Sequence, residues 1–472
     1  MFADQSPPSV LQDDNNVARE QQDLLELIEQ PDSCSDMIPF EIERVRNQRY
    51  FTSVRRRSSR LIHVLWVLPL IAVAVFFVKN CEETCNNNIS VASASSSRRV
   101  LAGFDPSEAN GALRQNVQYK DMNGNVKDPL VIFKEHGYQW TRIRVMVDPS
   151  GSYGLFQDLA YVKTMALQAH TLGFKLLLDF HYSHWWADPD NQWIPNNWKA
   201  SNHNDPNNVS VAILEQHVYN HTSIVMQALV GQGNPPDAVQ IGNEVNQGIL
   251  WKTALVTTDG DTNWKNLVRI TNAAVKAIEN AVVNIADDHN EDEDEEKNKD
   301  DHSSIMPKIV MHLASGGDTQ FTQTWLNKFI AAGGVFDIIG LSYYPMWHGT
   351  FDDLQGNLEN LNTVFPSKQV WVVETAYYWG ETGEKTLPYP TTPEGQVDFL
   401  TALRSVLEDY GRDTVVFYWG SHWTQPEKWM NATENWGDAA RRSLFDSDAR
   451  ALKGIAVLPG TIDEDTKCWC RL

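Results

Sequence analysis

Eight short runs of β-branched and aliphatic residues recur between Val100 and Trp419, and this alternation restricts the available folds more than any other feature of the chain. The runs are Val100–Phe104, Thr141–Val147, Lys175–Phe180, Ala238–Gly242, Ile309–Leu313, Phe336–Leu341, Val370–Glu374 and Val415–Trp419. Helical periodicity fills many of the intervals, as in Asp158–Leu172, Val211–Val230 and Trp264–Ile285. Nearly continuous apolar strands alternating with helices describe a parallel sheet covered on both faces. Eight such units within residues 100–460 predict a (β/α)8 barrel. A chain that is 42% hydrophobic and 21% charged has the material for that core.

The residues before Val100 read differently. Residues 1–43 carry eleven acids against one base, and residues 44–60 carry seven arginines and no acid. Residues 1–60 are therefore expected to be a mostly disordered tail. Leu61–Val78 is an uncharged run of eighteen residues, sufficient to cross a thin bilayer as a helix. Arg55, Arg56, Arg57 and Arg60 crowd its N-terminal side, so the positive-inside rule leaves the tail in the cytoplasm. Sixty preceding residues are too many for the n-region of a cleaved signal peptide. A single-pass, type II signal anchor is the expectation. A polar stem over 79–99 would join it to the barrel, outside the cell or in the secretory lumen.

Two patterns agree with that topology. Sequons at Asn88, Asn208, Asn220 and Asn431 all follow the apolar run. Cys81 and Cys85 in the stem, with Cys468 and Cys470 in a C-terminal tail over 461–472, flank the remainder, and an oxidising compartment favours disulfides among these four. Free thiols are the alternative.

The net charge of −22 argues against nucleic acid as a partner. Much of it is local. Ten acids and two lysines fall between Asp287 and Asp301, within an expected solvated insertion over 286–304. Its acids lack the spacing of a calcium loop, so no metal and no cofactor is expected.

In a barrel, chemistry comes from the C-terminal ends of the strands. Here the third run leads into His181-Tyr182-Ser183, the fourth into Asn243-Glu244, the sixth into Tyr343-Tyr344, the seventh ends on Glu374, and the eighth ends on Trp419. Two carboxylates at the mouth of an aromatic-lined barrel are what retaining glycoside hydrolysis requires: one acid and one nucleophile. A lone glutamate at a strand end more often caps a helix or faces solvent. The pair, with Asn243 adjacent, favours the catalytic reading. Seventeen tryptophans fit either core packing or a sugar-stacking cleft.

The stretches GYQWTRIRVMVDP (137–149), KLLLDFHYSHWWADPDNQWIPNNW (175–198), AVQIGNEVNQGILW (238–251), DIIGLSYYPMWHG (337–349), VWVVETAYYW (370–379) and SLFD (443–446) resemble the arabinogalactan endo-β-1,4-galactanases of glycoside hydrolase family 53. The resemblance covers most of residues 100–450. It implies a retaining mechanism with Glu244 as acid/base and Glu374 as nucleophile. Arg142 and Arg144 alternate on one strand face, and Arg144 is the one expected beside the nucleophile. Structural ion pairs are the other reading of both. Asn243 is expected at the sugar 2-hydroxyl. His181 and Tyr343 are expected to orient carboxylates or hydroxyls, a satisfied structural histidine being the other reading of His181, and Trp347, Trp379 and Trp419 to stack on sugar, core packing being the other reading of each. The chain departs from the family at His184 and Trp185, where Asp and Thr are usual, and at Gly420, where Glu is usual. These changes bear on substrate more than on reaction.

The resulting expectation is a monomeric, membrane-anchored endo-galactanase acting on galactan or arabinogalactan. A barrel glycosidase for another β-linked polysaccharide and a non-catalytic glycan-binding protein remain alternatives. A glycosyltransferase would need an Asp-x-Asp motif in a nucleotide-binding unit. Asp259-Gly-Asp261 and Asp446-Ser-Asp448 follow no such strand.

Overall fold

The computed structural model describes residues 99–460, apart from 152, 200–204, 206, 261–262, 289–305, 384–385 and 431–436. The expected tail, the span Leu61–Val78, the stem, the four cysteines, Asn88, Asn431, most of the acidic insertion and the C-terminal tail lie outside the described residues. Among the described residues, no helix is long and apolar enough to cross a membrane. Asn208 and Asn220 are both exposed.

Eight parallel strands close into a barrel. In chain order they are β1 (Val100–Phe104), β2 (Trp140–Val145), β3 (Lys175–Phe180), β4 (Ala238–Ile241), β7 (Lys308–Leu313), β8 (Ile338–Ser342), β9 (Gln369–Thr375) and β10 (Thr414–Tyr418). Strands β5 (Gly248–Ile249) and β6 (Ala254–Leu255) form a small hairpin after β4. β1 closes on β10 in register from Val100↔Thr414 to Phe104↔Tyr418.

The strands read as unbroken apolar runs because both faces are buried, yet the two faces have separate partners. Ile143, Leu178, Ile241, Met311, Leu341 and Val372 point outward into the main core under the helices. Their neighbours point into the barrel. There Trp140, Leu177, Ala238, Val310, Ile338, Trp371, Val373, Val415 and Phe417 form a second, dry cluster at the N-terminal end, the floor. Two residues further along the same strands the inner face becomes polar: Arg142, Asp179, Gln240 and His312 are all fully buried. Strand periodicity thus stacks an apolar layer beneath a charged one.

β9 breaks this alternation. Its pairing with β8 runs Leu341↔Val372 and then Ser342↔Glu374, one residue out of step. The pairing with β10 slips over the same stretch. Val373 joins the floor cluster, and Glu374, which strict alternation would turn outward, also reaches the interior. A bulge that re-aims one side chain is the local device.

The covering helices are anchored by side-chain caps. Asp158 accepts from Tyr161 N–H at 2.8 Å before the helix Leu159–Thr171. Thr350 and Asp353 form a reciprocal capping box at Phe351–Val364. Such caps contribute about 1 kcal/mol each.

Candidate active site

A cavity of about 390 Å³ opens at the C-terminal ends of the strands. Its walls include Arg144, His181, Trp185, Trp186, Asp188, Asn243, Glu244, Tyr344, Trp347, Glu374, Trp419 and Arg442.

Arg142 organises the base of this cavity. Its Nη2 lies 2.8 Å from Asp179 Oδ2 and 2.9 Å from Glu374 Oε1, and its Nη1 lies 3.1 Å from Asp105 Oδ2. Nη2 also donates to Asn243 Oδ1 at 2.7 Å, and Nε donates to Gln240 Oε1 at 3.3 Å. A buried cation is tolerated only when its donors are matched, and five partners from four strands or their ends achieve this. Tyr344 adds a second donor to Glu374, its hydroxyl reaching Oε2 at 3.1 Å.

Glu244 is held differently. It follows Gly242 and Asn243 in a tight turn and itself adopts φ 48°, a left-handed conformation rare for a side chain of this size. Its amide N–H donates to His312 Nδ1 at 3.2 Å. Ser342 Oγ donates to Glu244 Oε1 at 2.6 Å and lies 2.8 Å from His312 Nε2. No cation is paired with Glu244 among the described residues.

These surroundings separate the two acids. Burial raises both carboxyl groups above the usual glutamate range. For Glu374 the Arg142 guanidinium opposes that rise, while the charges of Asp179 and Asp105 add to it. For Glu244 the charge of Glu374 adds to burial, and the Ser342 hydrogen bond is the larger of two weaker opposing effects, so its carboxyl is pushed well up. Glu244 is therefore the acid that stays protonated to higher pH, and Glu374, whose rise Arg142 opposes, the one that ionises first. His312 is held well below the ordinary histidine value by burial and by the charge of Arg142, and stays neutral. His181 is lowered by burial, although Asp179, 3.0 Å from its Nε2, pulls the other way.

Several residues singled out in the sequence meet at this cavity: Glu244, Glu374, Asn243, His181, Arg144, Trp347 and Trp419. Three expectations need correction. Arg142, not Arg144, contacts Glu374. Arg144 lies one step nearer the mouth, where it pairs with Glu108 and sits 4.5 Å from the Trp186 ring. Tyr343 is fully buried away from the cavity, its hydroxyl donating to Gly349 C=O at 3.2 Å. The next residue, Tyr344, faces inward as strand alternation requires. Trp379 is absent from the cavity wall, its amide tied to Arg441 C=O at 2.8 Å.

Sequence reasoning missed Ser342, His312, Tyr344, Asp179 and Arg442. Two-residue periodicity from the floor would have found the first four. Arg442 follows the last strand in an irregular segment, where no periodicity applies.

The chemistry and the architecture together define a barrel glycoside hydrolase: two unequal carboxylates at the ends of the fourth and seventh barrel strands, in an aromatic cleft. The glycosyl hydrolase family 53 model matches residues 101–458, and the chain belongs to that family. An arabinogalactan endo-β-1,4-galactanase of Thermothelomyces thermophilus is 29% identical over 359 residues, covering 73% of this chain and 94% of that protein. Among solved structures, the Ignisphaera aggregans GH53 catalytic domain superposes with a TM-score of 0.65 at 31% identity, over 77% of this chain and 96% of that one. A fungal β-1,4-galactanase gives 0.61 at 27% identity, over 76% and 98%.

Proposed function

We propose that this protein is a retaining endo-β-1,4-galactanase in which Glu374 is the nucleophile and Glu244 the acid/base. The observation that carries the assignment is the asymmetry of the two carboxylates: Glu374 has Arg142 at 2.9 Å, and among the described residues Glu244 has a serine hydroxyl and no cation. Protonated Glu244 gives its proton to the glycosidic oxygen as that bond breaks. A Glu374 oxygen attacks the anomeric carbon and forms a glycosyl-enzyme. Glu244, now ionised, takes a proton from water, which attacks the same carbon and releases Glu374.

Asn243 Oδ1 is occupied by Arg142, and its Nδ2 donates to Ala187 C=O at 2.7 Å. One Nδ2 proton is left for a sugar hydroxyl, in keeping with a role at the 2-position. His181, 2% exposed on the wall, and the Trp347 and Trp419 rings complete the sugar contacts. The names of the relatives support galactan or arabinogalactan as substrate. The apolar run Leu61–Val78 supports a type II anchor, with the barrel of residues 100–460 beyond the membrane.

The test is hydrolysis of β-1,4-galactan by the full chain, with product configuration followed by NMR from the first turnover. Internal cleavage with the β-anomer appearing first is expected. An α-anomeric first product would exclude Glu374 as nucleophile, and saturable binding without turnover on any β-linked glycan would leave a binding protein.

A further inference from the structure

Three arginines stand at the cleft, and two are matched by carboxylates. Arg142 pairs with Asp105, Asp179 and Glu374, and Arg144 with Glu108. Arg442 is the exception. It lines the cavity, is half-buried, and among the described residues has no carboxylate within ion-pair distance. Its Nε is buried without a hydrogen-bond partner, as are Nε and Nη1 of Arg144, so the missing carboxylate is what sets Arg442 apart.

Aromatic faces hold it instead. The guanidinium carbon lies 5.2 Å from the Trp419 ring centre, 5.5 Å from Tyr378 and 5.8 Å from Trp347. Ring faces attract a cation and fix its orientation, but they leave its charge unneutralised. A planar guanidinium held this way is pre-organised for two parallel hydrogen bonds to an oxyanion.

We infer that Arg442 is a specificity-determining residue that recognises an oxyanion substituent, a carboxylate or a sulfate ester, on the polysaccharide in the cleft. The inference rests on the polysaccharide-hydrolase reading above and narrows its substrate class. A cation is not required to bind neutral hydroxyls, which an amide serves at lower desolvation cost. Asp188, Glu244 and Glu374 line the same cavity, so an anion is accepted beside Arg442 and opposed elsewhere.

The experiment compares three polymers: neutral β-1,4-galactan, the same galactan with a fraction of its C6 hydroxyls oxidised to carboxylates, and the same galactan sulfated. Full-length wild type, Arg442→Gln and Arg442→Lys are assayed at neutral pH. The quantity read is kcat/KM on each anionic polymer divided by that on the neutral one. In wild type at least one ratio exceeds one and declines with added salt. In Arg442→Gln that ratio falls about tenfold, chiefly through KM, and Arg442→Lys retains part of it. Which ratio responds tells carboxylate from sulfate. Ratios below one in wild type, or unchanged in Arg442→Gln, would overturn the inference.

If wild type hydrolyses none of the three, the galactanase reading fails. Calorimetry with 6-carboxylated, sulfated and neutral galacto-oligosaccharides then decides Arg442 separately. Preferential binding of an anionic oligosaccharide that is lost in Arg442→Gln would uphold it, and equal binding of all three would sink it.

Discussion

The floor and the mouth of this barrel are built from the same strands, two residues apart, and they obey opposite rules. At the floor, Trp140 packs edge to face on both Trp371 and Phe417, the Trp140 and Trp371 ring centres are 5.1 Å apart, and among the described residues the cluster is apolar throughout. At the mouth, Arg142 holds three carboxylates together, and a fourth, Glu244, is kept nearby without a cation. The floor gains from excluding water. The mouth carries a desolvation cost on every charge, offset only while all of its partners are in place. Stability and chemistry are thereby assigned to different layers of one sheet.

Substitutions can break that division or sharpen it. The largest effect is expected at the mouth. Glu374→Gln should lower kcat on galactan by on the order of 10⁴-fold or more, and Glu244→Gln by about 10²- to 10⁴-fold. Glu244→Gln, which removes no ion pair, should leave the unfolding midpoint close to wild type, and Glu374→Gln, which takes a carboxylate from buried Arg142, should lower it, as measured by circular dichroism alongside the rates.

The next contrast pairs Trp371→Ala with Arg142→Met. Emptying the floor should cost about 3–5 kcal/mol of stability and leave kcat per folded molecule unchanged. Removing Arg142 should cost about 3–5 kcal/mol because buried carboxylates lose their cation, and it should abolish turnover as well. Denaturant titration combined with active-site counting separates the two. A floor variant that stays stable but loses kcat would refute the layered division.

A smaller effect concerns pH. The rate should fall at high pH as Glu244 loses its proton, and at low pH as Glu374 gains one. Ser342 donates to ionised Glu244 and lowers its pKa, so Ser342→Ala should move the alkaline limb to higher pH. A shift to lower pH would place the general acid elsewhere.

The smallest effect is spectroscopic. Burial, with a contribution from Asp105, pushes the Glu108 carboxyl up to about 7 against the pull of Arg144. Trp423 Nε1 donates to Glu108 Oε2 at 2.9 Å, so the Trp423 indole N–H resonance should titrate near neutrality. Glu108→Gln should abolish that titration. A pH-independent resonance in wild type would show that Glu108 does not change charge there.

How much of this was legible in the sequence follows from the same layering. Strands buried on both faces show as apolar runs, and Lys175–Phe180 appears in the structure with the bounds read from sequence. The two glutamates were visible because strand ends in a barrel carry chemistry. The choice between Arg142 and Arg144 was not visible, because both alternate correctly and only the height of Glu374 separates them. That height depends on the bulge in β9, and no residue type announces a bulge. Tyr343 and Tyr344 exchanged roles for a simpler reason: periodicity counted from Ile338 selects the second tyrosine. Trp379 was chosen for its type alone, and type does not fix direction beyond the end of a strand.

The closure of β1 on β10 also bears on how the molecule is made. Arg142 emerges early in synthesis, with Asp105 and Asp179 close to it in sequence, but its third carboxylate is Glu374. The ring is sealed only when Thr414–Tyr418 pair with Val100–Phe104. A ribosome therefore presents most of a barrel with its cationic centre incomplete and its β1 edge unpaired. Such an intermediate is a substrate for chaperones and a hazard for self-association. The cell holds an inert chain until nearly the last strand is delivered, and the site comes into being in the same event as the fold.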